Sequence, residues 1–243
     1  MTAMPRILRR GVRRAFGCAA LILVAASPLC AQTIRPLISE FKNKARGKVQ
    51  LVNDAAWPLR IYLEAKSFTV TEGGDLIDMP LDGGIHVKLS AMSVQIPPGE
   101  SRFVFYEATA ERMPAWFVLY AVFTGFPSRD FKGLNMQVEL PHVVYILPNQ
   151  RLKQGDVRVN LVGFQPDQQT VVVDVENTGP DFGRILATEL RGQGTKAGSR
   201  GFALLPGARR RLELPWKPTD GPDTVVLRSR DFTIEHRLRP DRP

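Results

Sequence analysis

Short runs of apolar or alternating residues, each closed by Asn, Gly or Pro, recur along this chain and limit what it can fold into. Residues 49–52, 59–63 and 101–106 are runs of this kind in the first half. Residues 157–162 and 170–176 repeat the pattern in the second half. Alternation with a period of two between turn residues is typical of β-strands, and no convincing amphipathic helix accompanies it. Strands at this spacing predict an all-β fold of the sandwich type.

The run over residues 115–123 is almost entirely apolar and is rich in aromatic and branched side chains. Its periodicity alone leaves a buried helix open. Pro114 before the run, and Gly125 and Pro127 after it, favour a central β-strand instead. Residues 107–112 leave room for one short helical turn.

The chain is too long for one ordinary domain, since it has 243 residues and domains have about 100–150. A polar segment over residues 148–155 resembles a linker, and the strand pattern begins again after it. We therefore predict an N-terminal domain over residues 32–148, a linker over residues 149–154 and a C-terminal domain over residues 155–243.

Two short patterns occur in the same order in both halves. A strand that ends on Asn53 is matched by one that ends on Asn177, and each is followed by a small polar turn and another strand. A Pro-Gly turn at Gly99 is matched by one at Gly207, again before a strand. Generic turn chemistry explains either pattern alone. Their shared order favours one sandwich topology used twice.

The first 31 residues predict a secretory signal peptide. Five arginines without any acidic residue precede an apolar run over residues 18–26. That run is shorter than the roughly 20 apolar residues that span a bilayer, which argues against a membrane anchor. Small residues up to Ala31 suit cleavage at that point. We therefore expect export to the periplasm by the Sec or the twin-arginine route, cleavage near Ala31 and no stable membrane insertion.

The composition of the remaining chain excludes several classes of function. Its 28 basic residues stand against 24 acidic ones, so the net charge of +9 falls to +4. No stripe of basic and aromatic residues indicates nucleic-acid binding. Both cysteines lie in the signal segment, so no thiol chemistry is expected. The three histidines, His86, His142 and His236, match no metal-ligand spacing. We predict no metal, no cofactor and no enzymatic activity.

Several segments carry a resemblance through their order and spacing. They are residues 47–53, residues 96–102, the aromatic strand from Trp116, residues 134–148, residues 173–179 and residues 204–210. Together, over residues 34–227, they resemble the periplasmic pilus chaperones, the PapD-like proteins of chaperone–usher systems. The resemblance implies two immunoglobulin-like β-sandwich domains in tandem, in a boomerang arrangement.

The resemblance also implies a mode of binding, donor-strand complementation. The last strand of the first domain is added to an incomplete subunit, so that main-chain hydrogen bonds give affinity and apolar side chains fill pockets. The matching donor residues are Leu134, Met136, Val138 and Leu140. They alternate with polar residues that fall on the opposite face, which is also the pattern of any half-buried strand.

One feature departs from the family pattern. The resemblance implies a pair of basic residues in the cleft, one on the first strand and one after the donor segment, which anchors the terminal carboxylate of the subunit. Those positions fall near residues 37–38 and 142–143, where neither Lys nor Arg stands. Arg35 and His142 are the nearest candidates, although a histidine is mostly uncharged at neutral pH. The chain either anchors a subunit differently or serves another partner.

These observations give one functional hypothesis and one alternative. The hypothesis is a chaperone that binds and stabilises secreted pilus, fimbrial or coat subunits and hands them on for assembly, with an outer-membrane usher as a second partner. An exposed alternating strand also invites self-pairing, so we expect a self-capped dimer in the absence of a subunit. The alternative is an exported structural or adhesive β-sandwich protein without chaperone activity.

Overall fold

The alternating runs of the sequence form strands, which build two sandwiches along the chain. The computed structural model describes residues 32–124, 137–192 and 194–238. Residues 32–243 form one compact unit. The predicted signal peptide, residues 1–31, lies outside the described residues, as do the predicted donor residues Leu134 and Met136.

Ten strands form the first sandwich. They are β1 Thr33–Arg35, β2 Ile38–Lys42, β3 Ala45–Val52, β4 Leu59–Val70, β5 Leu76–Met79, β6 Ile85–Leu89, β7 Ser93–Ile96, β8 Ser101–Ala110, β9 Ala115–Thr124 and β10 Val138–Leu147. One sheet has the strand order β1-β3-β8-β6, and the other has the order β2-β10-β9-β4-β5, with β7 also paired to β4. Apolar side chains from both sheets meet in one buried core, in which Val49, Ile61, Val104 and Phe117 are fully buried.

Strand β9 lies inside its sheet, with β4 on one side and β10 on the other. Its buried side chains explain the continuous apolar run, so the prediction of a central strand is confirmed. The predicted helical turn over residues 107–112 is wrong, because β8 continues as a strand to Ala110. Tyr106 and Ala108 point inward and alternate with exposed Glu107 and Thr109, which is the two-residue period of a strand.

Seven strands form the second sandwich. They are β11 Val157–Gln165, β12 Thr170–Asn177, β13 Gly183–Gly192, β14 Thr195–Leu204, β15 Arg209–Pro215, β16 Thr224–Ser229 and β17 Thr233–Arg237. Their sheet orders are β11-β12-β15 and β14-β13-β16-β17. The core between these sheets includes the fully buried Trp216. The predicted class, all-β with two immunoglobulin-like sandwiches in tandem, is confirmed.

A third buried cluster joins the two sandwiches. Phe68, Val118 and Tyr145 contribute to it from the first sandwich, and Phe182 and Leu205 contribute from the second. The rings of Tyr145 and Phe182 lie 4.7 Å apart between centroids. The two sandwiches therefore share an apolar contact in addition to the chain that connects them.

Candidate functional site

Strand β10 is only half paired on its outer side. It pairs with β9 from Val138 to Ile146, but it pairs in parallel with β2 only from Val143 to Leu147. Among the described residues, the outer edge over residues 138–142 therefore has no strand partner. The main-chain N–H and C=O groups of such an edge are a template on which another strand can pair.

The described part of the predicted donor segment keeps the period of two. Val138 and Leu140 are partly buried and pack against the core of the first sandwich, whereas Glu139 and Pro141 are exposed. In this state the two apolar side chains help to cover their own core. Donation of Leu134, Met136, Val138 and Leu140 to a subunit stays a prediction.

His142 lies inside the first sandwich rather than at its surface, with its side chain fully buried. Its Nδ1 lies 2.7 Å from the carbonyl oxygen of Pro36, and its Nε2 lies 2.9 Å from the hydroxyl of Tyr106. A carbonyl only accepts hydrogen bonds, so Nδ1 carries the proton, and Nε2 of the neutral ring accepts from the hydroxyl. Burial lowers the pKa of His142, which favours that neutral form. This environment is that of a packing residue and leaves neither ring nitrogen for a carboxylate anchor.

The two positions expected for a basic pair meet in the structure, but they are apolar. Val143 on β10 lies in register with Ile38 on β2. Arg35, the other predicted anchor, is exposed at the end of β1, where it pairs with Gln50 on β3 of the opposite sheet. It therefore belongs to a different sheet from the free edge of β10.

Arg184 on β13 supplies a cation at the junction that the sequence did not indicate. Its Nε donates to Glu40 Oε1 over 2.6 Å. Its guanidinium carbon lies 5.4 Å from the ring centroid of Tyr145 and 5.8 Å from that of Phe182. Glu40 and Tyr145 are in register on neighbouring strands. They stand two residues beyond Ile38 and Val143, and therefore on the same face of the sheet.

A cavity of about 380 Å³ lies beside this arginine. Strand β2, the chain after β10, the start of β13 and the turn between β16 and β17 supply its walls. The turn contributes Arg230 and Asp231, and β2 contributes Lys42. The junction of the sandwiches thus contains both apolar surface and several charged groups.

Two negative findings hold for the described residues. Within residues 32–124, 137–192 and 194–238, no group of three or more His, Cys, Asp or Glu side chains is placed to hold a metal ion. In the same ranges no helix has the length and apolar character needed to cross a membrane.

Sequence comparison gives no relative: no family model matches the chain, and no curated protein matches it. Structural comparison is clear, because the fold is that of the chaperones of fimbrial assembly. The fimbrial chaperone CfaA of class 5 matches with a TM-score of 0.54 and 12% identity over 86% of this chain and 100% of its own.

Two further structures show the same likeness. The Salmonella enterica SafB chaperone complex with the SafA pilin matches with a TM-score of 0.54 and 13% identity, covering 88% of this chain and 99% of the matched chain. The Pseudomonas aeruginosa CupB2 chaperone matches with a TM-score of 0.51 and 15% identity, covering 85% and 100%. At these identities the likeness establishes a shared fold.

Proposed function

We propose that this chain is a periplasmic chaperone that binds secreted pilus, fimbrial or coat subunits by donating the edge of β10. The observation that carries the proposal is the half-paired strand β10, open over residues 138–142, on the fold of fimbrial chaperones. One of the similar structures is a chaperone in complex with a pilin. Cleavage near Ala31, domains over residues 32–148 and 155–243, and delivery of the subunit to an usher belong to the same proposal.

The physical basis of the proposed binding is strand addition. An extended segment of the subunit would form main-chain hydrogen bonds with the open edge, and alternate side chains of β10 and the segment before it would fill an apolar groove. Because the side-chain period is two, only one face of the segment supplies those side chains. Leu134, Met136, Val138 and Leu140 share that face.

The test is co-purification with a subunit encoded beside this gene, after co-expression in the periplasm. The double variant Leu134→Asp plus Met136→Asp places two charges on the proposed donor face. We expect it to lose the subunit, because each charge would have to be buried in the groove without a partner. Both positions precede β10, so the core residues Val138 and Leu140 stay unchanged.

The matched control is Asn135→Asp plus Gln137→Asp, which adds the same charge on the opposite face. It should retain the subunit at the level of the wild type. Equal retention of the subunit by both double variants would show that β10 does not donate its alternating side chains. Polymers of the purified protein without any subunit would support the alternative of a structural or adhesive protein.

A further inference from the structure

The cavity at the junction has the general form of a small-ligand site, with apolar walls and a few charged groups. Phe41 and Leu147 line it from the first sandwich, and Leu186 lines it from the second. The side chain of Leu186 is 54% exposed, although it lies on a strand. The volume of about 380 Å³ accommodates the terminal residue of a peptide or an organic acid of similar size.

The charged part of the lining has a surplus of cations. Four basic side chains and two carboxylates line the cavity. Each carboxylate is already paired with an arginine at 2.6 Å. The two remaining cations, Lys42 and Arg230, have no ion-pair partner among the described residues. A ligand that carries negative charge would therefore complement this lining, and a cation would not.

Arg184 adds an unused hydrogen-bond donor. Its Nη2 is buried and has no acceptor among the described residues, while its Nε is bound to Glu40. A buried donor without an acceptor is unfavourable, so an arriving acceptor gains more here than it would at the open surface. The rings of Tyr145 and Phe182 restrict the guanidinium plane, which keeps that donor at one place.

We infer that the junction cavity binds a carboxylate group through Arg184, with Lys42 and Arg230 adding positive charge. A carboxylate matches the planar donor pattern of a guanidinium, and the body of the ligand would pack on the apolar wall. Two sources share this chemistry, the C-terminal end of a polypeptide and a free organic acid. The site is separate from Ile38 and Val143, and it does not depend on strand donation by β10.

The test is a titration of the protein without residues 1–31, followed by NMR chemical shifts, with three probes. N-acetyl-leucine imitates a peptide C-terminus, N-acetyl-leucinamide has the same body without the charge, and acetate is the carboxylate alone. We expect saturable binding of N-acetyl-leucine and at least about tenfold weaker binding of the amide. Equal affinity for the acid and the amide would overturn the inference. Acetate binding as tightly as N-acetyl-leucine would assign the site to free small acids, whereas a tenfold preference for N-acetyl-leucine would assign it to a chain terminus.

Three variants locate the binding in the cavity. Arg184→Gln should weaken N-acetyl-leucine binding at least about tenfold, and Lys42→Gln plus Arg230→Gln should weaken it while Arg184 stays in place. Arg158→Gln, on the exposed side of β11, is the matched control and should bind like the wild type. Unchanged binding by Arg184→Gln would refute the inference. Leu134→Asp plus Met136→Asp should also bind N-acetyl-leucine normally, so a failure of strand donation and a failure of the carboxylate site can be distinguished.

Discussion

Asn53 and Asn177 make the same kinds of hydrogen bonds in the two sandwiches. Both are fully buried at or just beyond the end of a strand. In each case Nδ2 donates to the carbonyl four residues ahead and to a carbonyl just before the Pro-Gly turn, and Oδ1 accepts from the amide two residues ahead. The partners are Trp57, Ile96 and Ala55 for Asn53, and Asp181, Leu204 and Gly179 for Asn177. The repeat predicted from the two asparagines is therefore confirmed at these turns.

Replacing either asparagine with alanine should destabilise the protein by about 2–4 kcal/mol, because buried backbone groups would lose their partners. Asn53→Asp should also be destabilising, since a carboxylate oxygen would face the carbonyls that Nδ2 now satisfies. Urea unfolding measures the loss. Asn160→Ala, at an exposed position of β11, is the control and should change stability by less than about 0.5 kcal/mol. Losses that match this control would show that the asparagine bonds do not hold the turns.

The buried His142 should make stability depend on pH in one direction. Burial lowers its pKa in the folded state below the ordinary 6.5. The unfolded chain then binds more protons below pH 6.5, so the contribution is fully present above that value and is lost as the pH falls toward the folded pKa. The loss from this one group is at most about 1.4 kcal/mol per pH unit.

Unfolding by urea between pH 7.5 and pH 5 measures this slope. His142→Phe removes the titrating ring, so it should lower stability at pH 7.5 and show a smaller loss toward pH 5. His86→Gln changes an exposed histidine and should keep the slope of the wild type. If His142→Phe and the wild type lose stability in parallel, His142 is not the group that responds.

The ring contact between Tyr145 and Phe182 should couple the unfolding of the two sandwiches. Phe182 is nearly buried in the junction cluster, so Phe182→Ala should destabilise the protein by about 3–5 kcal/mol if the space does not collapse. Most of that energy belongs to the contact between the sandwiches rather than to either core. Differential scanning calorimetry should then resolve two transitions in the variant.

Phe164→Ala is a control, because Phe164 packs on the core of the second sandwich and has no place in the junction cluster. It should lower stability without separating the transitions from one another any further than in the wild type. A single cooperative transition for Phe182→Ala would mean that the sandwiches are coupled by other contacts.

The open edge of β10 should pair with itself when no subunit is present. We expect a dimer whose fraction rises with protein concentration in sedimentation velocity. Leu134→Asp plus Met136→Asp should yield a monomer, and the control Asn135→Asp plus Gln137→Asp should still dimerise. A wild-type monomer at every concentration up to the solubility limit would contradict self-capping.

Local patterns were sufficient for the fold and insufficient for the junction. Pro114 and the aromatic content identified β9 as a central strand, since both act through neighbouring residues. His142 looked like a surface candidate, because nothing near it in sequence shows that Tyr106 and Pro36 enclose its ring. Arg184 was missed because Glu40, its partner, lies 144 residues away in the chain. Contacts of that separation depend on how the two sandwiches pack, which no period or turn motif encodes.

Glu40 should compete with the ligand for Arg184, because both offer a carboxylate to the same guanidinium. Glu40→Gln removes that charge and releases the Nε donor now bound at 2.6 Å. The variant should bind N-acetyl-leucine several times more tightly than the wild type. Stability should change by less than about 1 kcal/mol, since the pair is partly exposed and such pairs contribute little. Glu176→Gln, on β12 of the second sandwich, is the matched loss of one negative charge and should leave the affinity unchanged. Equal gains in both variants would trace the effect to net charge, whereas a gain confined to Glu40→Gln requires that the ligand carboxylate and Glu40 share Arg184.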